Sequence, residues 1–128
     1  EQVDLEQQIF QGGVKTAAGK GRIVPIHPRI LPFVQAWVQQ GHKYLLTYEG
    51  EKFKLSKYYA CWAEVMGKID ADKTPHEARH TFETNLDNAK GNRKCIDLLM
   101  GHKSKDVGNR VYNHKTLEQL KETILLLK

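Results

Sequence analysis

The stretch that most constrains this 128-residue chain is Thr74-Pro75-His76-Glu77, because it leaves the backbone few ways to continue. A threonine hydroxyl accepts a hydrogen bond at the open end of a helix, and proline at the first helical position gives up an N–H that would have no partner. A glutamate three residues after the threonine reaches back to close a capping box. The stretch therefore predicts a helix beginning at Pro75 and running to about Asn88. Fixing the start fixes the faces: His76 and Arg79, three apart, emerge together near the N-terminal end. That end favours anions, through free backbone N–H groups, the helix dipole and a planar guanidinium that can hold two oxygens. Taken without their neighbours, the two are better read as an N-terminal histidine and a surface arginine, so other motifs must decide.

Around this helix the chain reads as a small β element followed by helices. Ile9, Phe10 and Val14 precede the turn-like Ala17-Ala18-Gly19-Lys20-Gly21, and Arg22-Ile23-Val24-Pro25-Ile26 follows it, which predicts a β-hairpin with a basic tip within residues 1–26. Pro28 opens a helix to about Gln40, stopped by Gly41, and a short extended piece follows at Tyr44 to Tyr48. Ser56 is the expected cap of a second helix to about Met66, with Tyr59, Trp62, Ala63 and Met66 on one face. After Gly91 come a short helix ending at Met100-Gly101, another around Val107 to Tyr112, and an amphipathic tail from Thr116. No repeat or internal boundary is visible. The fold class is α+β, mostly helical, with a small N-terminal antiparallel sheet or hairpin packed on the helices.

Size and charge narrow the function. At 14.7 kDa the chain can bury one core without metal or disulfide. No apolar run approaches the roughly 20 residues that span a bilayer, so no membrane partner is expected. Cys61 and Cys95 stand in no paired spacing, which fits a reducing cytoplasm. The chain opens on Glu rather than Met, as a piece of something longer would. Its pI is about 9.2, and the charge is local: Lys90, Arg93, Lys94, Lys103, Lys105, Arg110 and Lys115 stand against Asp97 and Asp106, seven against two. Such a stretch is more often a solvated face than a nucleic-acid surface, and on its own it settles nothing.

The motifs settle more. Met100-Gly101-His102 follows Arg79, and Tyr112 lies ten residues beyond His102 in Val111-Tyr112-Asn113-His114. With His76-Glu77-Ala78-Arg79-His80-Thr81-Phe82, this set resembles the tyrosine recombinase (phage integrase) family, whose signature is His-x-x-Arg with His-Thr-Phe, then Leu-Gly-His, then Tyr-x-His. Lys15-Thr16, Gly19 and Arg22-Ile23-Val24-Pro25-Ile26 are similar to the family's hairpin, so the resemblance covers nearly the whole chain. Met100 for the usual leucine is a volume-conserving swap.

The resemblance implies a tyrosine recombinase catalytic domain over 1–128, needing no cofactor or metal. Tyr112 would attack a DNA phosphodiester and become a 3′-phosphotyrosine. Arg79 and His102 would hold the phosphate, His76 would act as acid/base, and Lys15 would protonate the leaving 5′-oxygen, with Lys20 a rival for that role. Lys20, Arg22, Arg93, Lys94, Lys103, Lys105 and Arg110 are the candidate DNA contacts. Double-stranded DNA is the partner, and the parent protein is expected to work as a homotetramer on it, the isolated piece being monomeric. The family's first catalytic arginine and its core-binding domain are expected to precede Glu1, so the piece alone should be inactive or severely impaired. A phage and a transposon origin both fit. The stripe Leu117, Leu120, Ile124 and Leu127 is expected to cover either its own domain or a neighbouring protomer.

Two other readings compete. His76-Glu77-Ala78-Arg79-His80 is also a literal H-E-x-x-H, the zinc-peptidase helix motif, although Glu77 is already explained by the capping box and His102 or Glu118 would have to be recruited as an unsupported third ligand. The basic stretch also fits a DNA-binding module that does not cut.

Overall fold

The computed structural model describes residues 2–13, 20–102 and 114–128, with side chains in the last segment from Leu117 onward. Its elements are strands β1 (Gln2–Asp4), β2 (Ile9–Gly12) and β3 (Arg22–Pro25), helix α1 (Leu31–Gln39), strands β4 (Thr47–Tyr48) and β5 (Glu51–Lys52), and helices α2 (Leu55–Lys68), α3 (Pro75–Asn88), α4 (Arg93–Met100) and α5 (His114–Ile124). The chain is α+β and mostly helical. It divides into two compact units, one of Glu1–Leu31 with Glu83–Lys128 and the other of Pro32–Phe82. No shift in composition marks the division.

The first unit holds a three-stranded antiparallel sheet in the order β1-β2-β3, with Val3 opposite Phe10 and Phe10 opposite Val24. The hairpin read from the sequence is β2-β3. The extra strand, β1, returns into β2 through a turn in which the Asp4 carboxylate accepts from the Gln7 N–H at 2.8 Å and from the Gln7 amide at 3.0 Å, with Gln8 at φ 57°. A short acidic side chain that bonds its own following backbone is what makes such a turn. β3 packs against α4 and α5, and α4 against α5. Between them lie the buried side chains Ile9, Ile26, Leu86, Cys95, Ile96, Leu99, Met100, Leu120 and Ile124.

The apolar stripe of the tail thus covers its own unit. Leu120 and Ile124 are buried and Leu117 and Leu127 half-buried, while the Leu127 carbonyl lies 3.1 Å from Nε2 of His27. Thr123 is buried among them, its hydroxyl satisfied by donating to the Gln119 carbonyl one turn back at 2.7 Å. The link from α3 to α4 is tight as well. Gly91 donates to the Leu86 carbonyl at 2.9 Å, and a Cβ at Gly91 would stand only 3.0 Å from that oxygen.

The second unit is built differently. Helix α1 starts three residues later than Pro28 suggested, because the His27 carbonyl accepts from both Ile30 and Leu31 and draws residues 28–30 into a tight turn first. β4 and β5 form a two-residue hairpin through Glu49 (φ 53°) and Gly50 (φ 80°), the doubly left-handed backbone that matches strand twist. α2 begins at Leu55 with Lys54 as its cap residue and no side-chain cap bond, so Ser56 lies inside the first turn rather than capping it. Its covered side is rotated from the expected face. Tyr58, Cys61, Trp62 and Met66 are half-buried, whereas Tyr59 and Ala63 are exposed. No residue of α2 is fully buried, and Val34 on α1 is the buried hydrophobic residue this unit shows among the described residues. In place of a core, aromatic rings meet, edge-on between Tyr48 and Phe53, Phe53 and Tyr58, and Tyr58 and Tyr59, and tilted between Tyr58 and Trp62, at centroid distances of 5.7 to 6.3 Å. Among the described residues, no helix is long and apolar enough to cross a membrane.

Candidate active site

In the second unit the α3 start forms as its sequence dictates. The Glu77 N–H donates to the Thr74 hydroxyl oxygen at 3.3 Å, while the Glu77 carboxylate accepts from the Thr74 N–H at 2.8 Å and from the Thr74 hydroxyl at 3.0 Å. These bonds, the backbone N–H foremost, together with Lys73 at 3.3 Å, hold the Glu77 carboxyl below its ordinary value of 4.5. The turn is also held from α2, since the Trp62 indole N–H donates to the Lys73 carbonyl. On the helix so anchored, His76 is exposed and Arg79 half-buried. The His76 ring stands edge-on to His80, with centroids 4.6 Å apart and planes at 85°. The arrangement offers an imidazole and a guanidinium at a helix N-terminus, the chemistry that receives an oxyanion.

In the first unit the Met100-Gly101-His102 motif is a helix end. Gly101 is left-handed at φ 66°, its N–H donates to the Leu98 carbonyl at 3.0 Å, and the His102 N–H donates to the Asp97 carbonyl at 2.9 Å. This is a Schellman closure, for which glycine has the permissive backbone. It turns the chain back so that His102 comes to lie beside Asp97, with imidazole Nδ1 3.9 Å from the Asp97 carboxylate. At the other end, Asn92 caps α4 by accepting from the Cys95 N–H at 3.2 Å. Arg22 on β3 donates to the Met100 carbonyl at 3.2 Å, placing a cation on the negative end of α4.

Arg93 forms the densest electrostatic feature among the described residues. Its guanidinium lies 2.7 Å from Glu83, 2.9 Å from Asp87 and 2.9 Å from Asp97, and these carboxylates raise its already high pKa further. Glu83, Asp97 and His102 present ligand atoms within 4.8 Å of one another, the set among the described residues with the spacing to share a metal ion. Arg93 already supplies a cation to two of the three. Among the described residues His76 and His80 belong to no such set, and Glu77 spends its carboxylate on the capping box.

Of the residues singled out from sequence, His76 and Arg79 fall in the second unit and His102 in the first. Of the basic residues, Lys20 and Lys94 are exposed, while Arg22 and Arg93 are engaged as above. Lys15, Lys103, Lys105, Arg110 and Tyr112 lie outside the described residues, as does the helix expected around Val107 to Tyr112. Three contributors escaped the sequence reading: Trp62, Glu83 and Asp97. The Arg93–Asp97 spacing of four was a legible signal for an ion pair. The approach of Asp97 to His102 was not, because it exists only after Gly101 reverses the chain.

Comparison with known proteins gives these motifs a family. The model of the phage integrase family matches residues 1–119. The chain is similar to the tyrosine recombinase XerD of Vibrio cholerae, 28% identical over 92% of this chain and 44% of that protein. It is also similar to the XerD of Haemophilus influenzae, 28% identical over 91% and 44%, and to that of Lacticaseibacillus casei, 26% identical over 94% and 44%. The chain thus spans less than half the length of these relatives. No solved structure matches it. A family match running from the sheet into α5 leaves one conclusion: the chain belongs to the phage integrase family.

Proposed function

We propose that this chain is the catalytic domain of a tyrosine site-specific recombinase, which cuts and rejoins duplex DNA through Tyr112. The phenolic oxygen of Tyr112 attacks the scissile phosphorus and the bond to the 5′-oxygen breaks. A 3′-phosphotyrosine remains, and Lys15, or its rival Lys20, gives a proton to the departing 5′-oxygen. Arg79 and His102 hold the non-bridging oxygens, where fixed donors stabilise the charge that grows in the transition state. His76 manages the proton of the attacking phenol. Lys20 and Lys94, with Lys103, Lys105 and Arg110, meet the DNA backbone. Arg22 and Arg93 join these DNA contacts, besides holding β3 and α4 in place. The parent protein acts as a homotetramer on DNA in the cytoplasm of a bacterium, at the nucleoid.

The observation that carries this reading is the capped α3 start, which presents His76 and Arg79 at a helix N-terminus in a chain that also ends α4 on Gly101-His102. Random-sequence duplexes incubated with the full-length protein, followed by denaturing capture of covalently attached DNA, test it. Adducts that disappear in Tyr112→Phe and fall on the order of 10²-fold in Arg79→Ala are expected. Adducts that survive Tyr112→Phe would overturn it. Salt-sensitive duplex binding without any adduct would instead favour a binding module that does not cut.

A further inference from the structure

Among the described residues, a carboxylate that belongs to no motif of the site, that of Asp97, lies within ion-pair distance of His102. Asp97 Oδ1 is 3.9 Å from His102 Nδ1, longer than a hydrogen bond but within reach of a small side-chain rotation. Two further features fix this pair. The backbone ties the residues together through the His102 N–H to the Asp97 carbonyl, at 2.9 Å, across the left-handed Gly101. The carboxylate is itself held, because the same Oδ1 lies 2.9 Å from the Arg93 guanidinium, which Glu83 and Asp87 anchor to α3. A carboxylate fixed on one side and facing one ring nitrogen decides which nitrogen carries the proton.

We propose that Asp97 is a positioning residue for His102: held by Arg93, it keeps Nδ1 as the proton-bearing nitrogen of the imidazole and leaves Nε2 for the scissile phosphate. With Nδ1 turned to Asp97, Nε2 is the nitrogen that faces the phosphate, and in the imidazolium it meets a non-bridging oxygen as an N–H donor. Among the described residues, Glu83 from α3 and Asp97 from α4 bring carboxylate oxygens within 4.8 Å of an imidazole nitrogen, and Arg93 of α4 binds both carboxylates. Glu83 is paired with Arg93 at 2.7 Å, and Nδ1 of the ring lies 3.9 Å from Asp97 Oδ1. The ion pairs of α4 thereby serve the chemistry of His102 without touching substrate. The functional half of this inference rests on the recombinase reading; the state of the ring does not.

The test has two arms. Long-range proton–nitrogen correlation spectra of the chain report the neutral tautomer of His102 directly. The Nδ1–H form is expected in the native chain, a shift toward Nε2–H in Asp97→Ala, and partial retention in Asp97→Asn, which keeps an acceptor oxygen. An Nε2–H ring in the native chain, or a tautomer indifferent to Asp97→Ala in a variant with native circular dichroism, overturns the proposal. Should Asp97→Ala not fold, Asp97→Asn and Arg93→Met, which frees the carboxylate while retaining it, supply the same comparison. In the second arm, the full-length protein carrying Asp97→Ala should form covalent DNA adducts on the order of tenfold more slowly with duplex affinity unchanged. A tautomer shift with an unchanged adduct rate overturns the functional half. A native protein that forms no adduct while showing the shift removes the recombinase reading and leaves the pairing of Asp97 with His102 standing.

Discussion

The two units set the family's motif residues on two kinds of foundation. His102 ends a helix whose Cys95, Ile96, Leu99 and Met100 are buried against β3 and α5. His76 and Arg79 stand in the first half of α3, in a unit whose described residues include a single buried hydrophobic side chain, Val34, and whose α2 leaves Leu55 69% and Val65 51% exposed; the buried Leu86 of the same helix belongs to the first unit. The first histidine is placed by burial; the second, with its arginine, is placed by hydrogen bonds at a helix end and by an indole on the preceding turn. Burial scales with area and resists water throughout, whereas a cap or a turn is worth about one hydrogen bond. The same family motif set is therefore supported unequally, and amides of 32–82 should exchange with solvent through openings of lower free energy than those of α4 and β3.

That contrast can be broken by substitution. The largest effect is expected from Leu120→Ala, which empties a fully buried site in the first unit and should cost about 2–5 kcal/mol in denaturant unfolding. A loss below about 1 kcal/mol would mean that the tail is not part of that core. Gly101→Ala forces a Cβ into the left-handed backbone that delivers His102 and should cost about 1–2 kcal/mol, read as a lower midpoint with an unchanged denaturant slope.

In the second unit Thr74→Ala should cost about 1 kcal/mol. Its penalty should also depend on pH. The Glu77 pKa is lowered in the folded chain, so the contribution is fully present above the ordinary value of 4.5 and disappears as pH falls through the lowered value. The difference between Thr74→Ala and native midpoints should therefore shrink in acid, and a constant difference would remove the capping box from the account. Leu55→Ala, at the exposed start of α2, should change stability by no more than about 0.5 kcal/mol. A cost near that of Leu120→Ala would show that the second unit buries more than its described surface suggests.

How far the sequence could be read follows the same division. Local chemistry was legible: Thr74-Pro75-x-Glu77 gave the start of α3, Gly101 the end of α4, and the β2-β3 strands followed from their alternation around a glycine turn. Features that depend on a partner distant in the chain were not. The rotation of α2, which covers Tyr58 rather than Tyr59, is set by aromatic neighbours at Phe53 and Tyr48 that a periodicity count does not see. The late start of α1 arises because His27 accepts from two successive N–H groups, which the Pro28 rule does not anticipate. Whether the tail stripe covers its own domain or another is open from Leu120 and Ile124 alone; that both are buried, on a helix that packs against β3 and α4 of the single chain, shows only in space. In the string Arg93 is one of a run of cations; that it meets three carboxylates shows only in space.

The chain has two cysteines, one in each unit: Cys61 half-buried on α2 and Cys95 buried on α4. Their exposure differs as the foundations of the two units differ, so thiol chemistry keeps a separate clock for each. An alkylating reagent or a mild oxidant meets Cys61 from the native surface at a rate set mainly by reagent concentration and thiolate fraction. Cys95 waits for the α4 packing to open, and at high reagent its rate becomes the opening rate itself. Oxidative damage should therefore accumulate on the α2 side first, and a Cys95 adduct is a record that the unit carrying His102 has come apart.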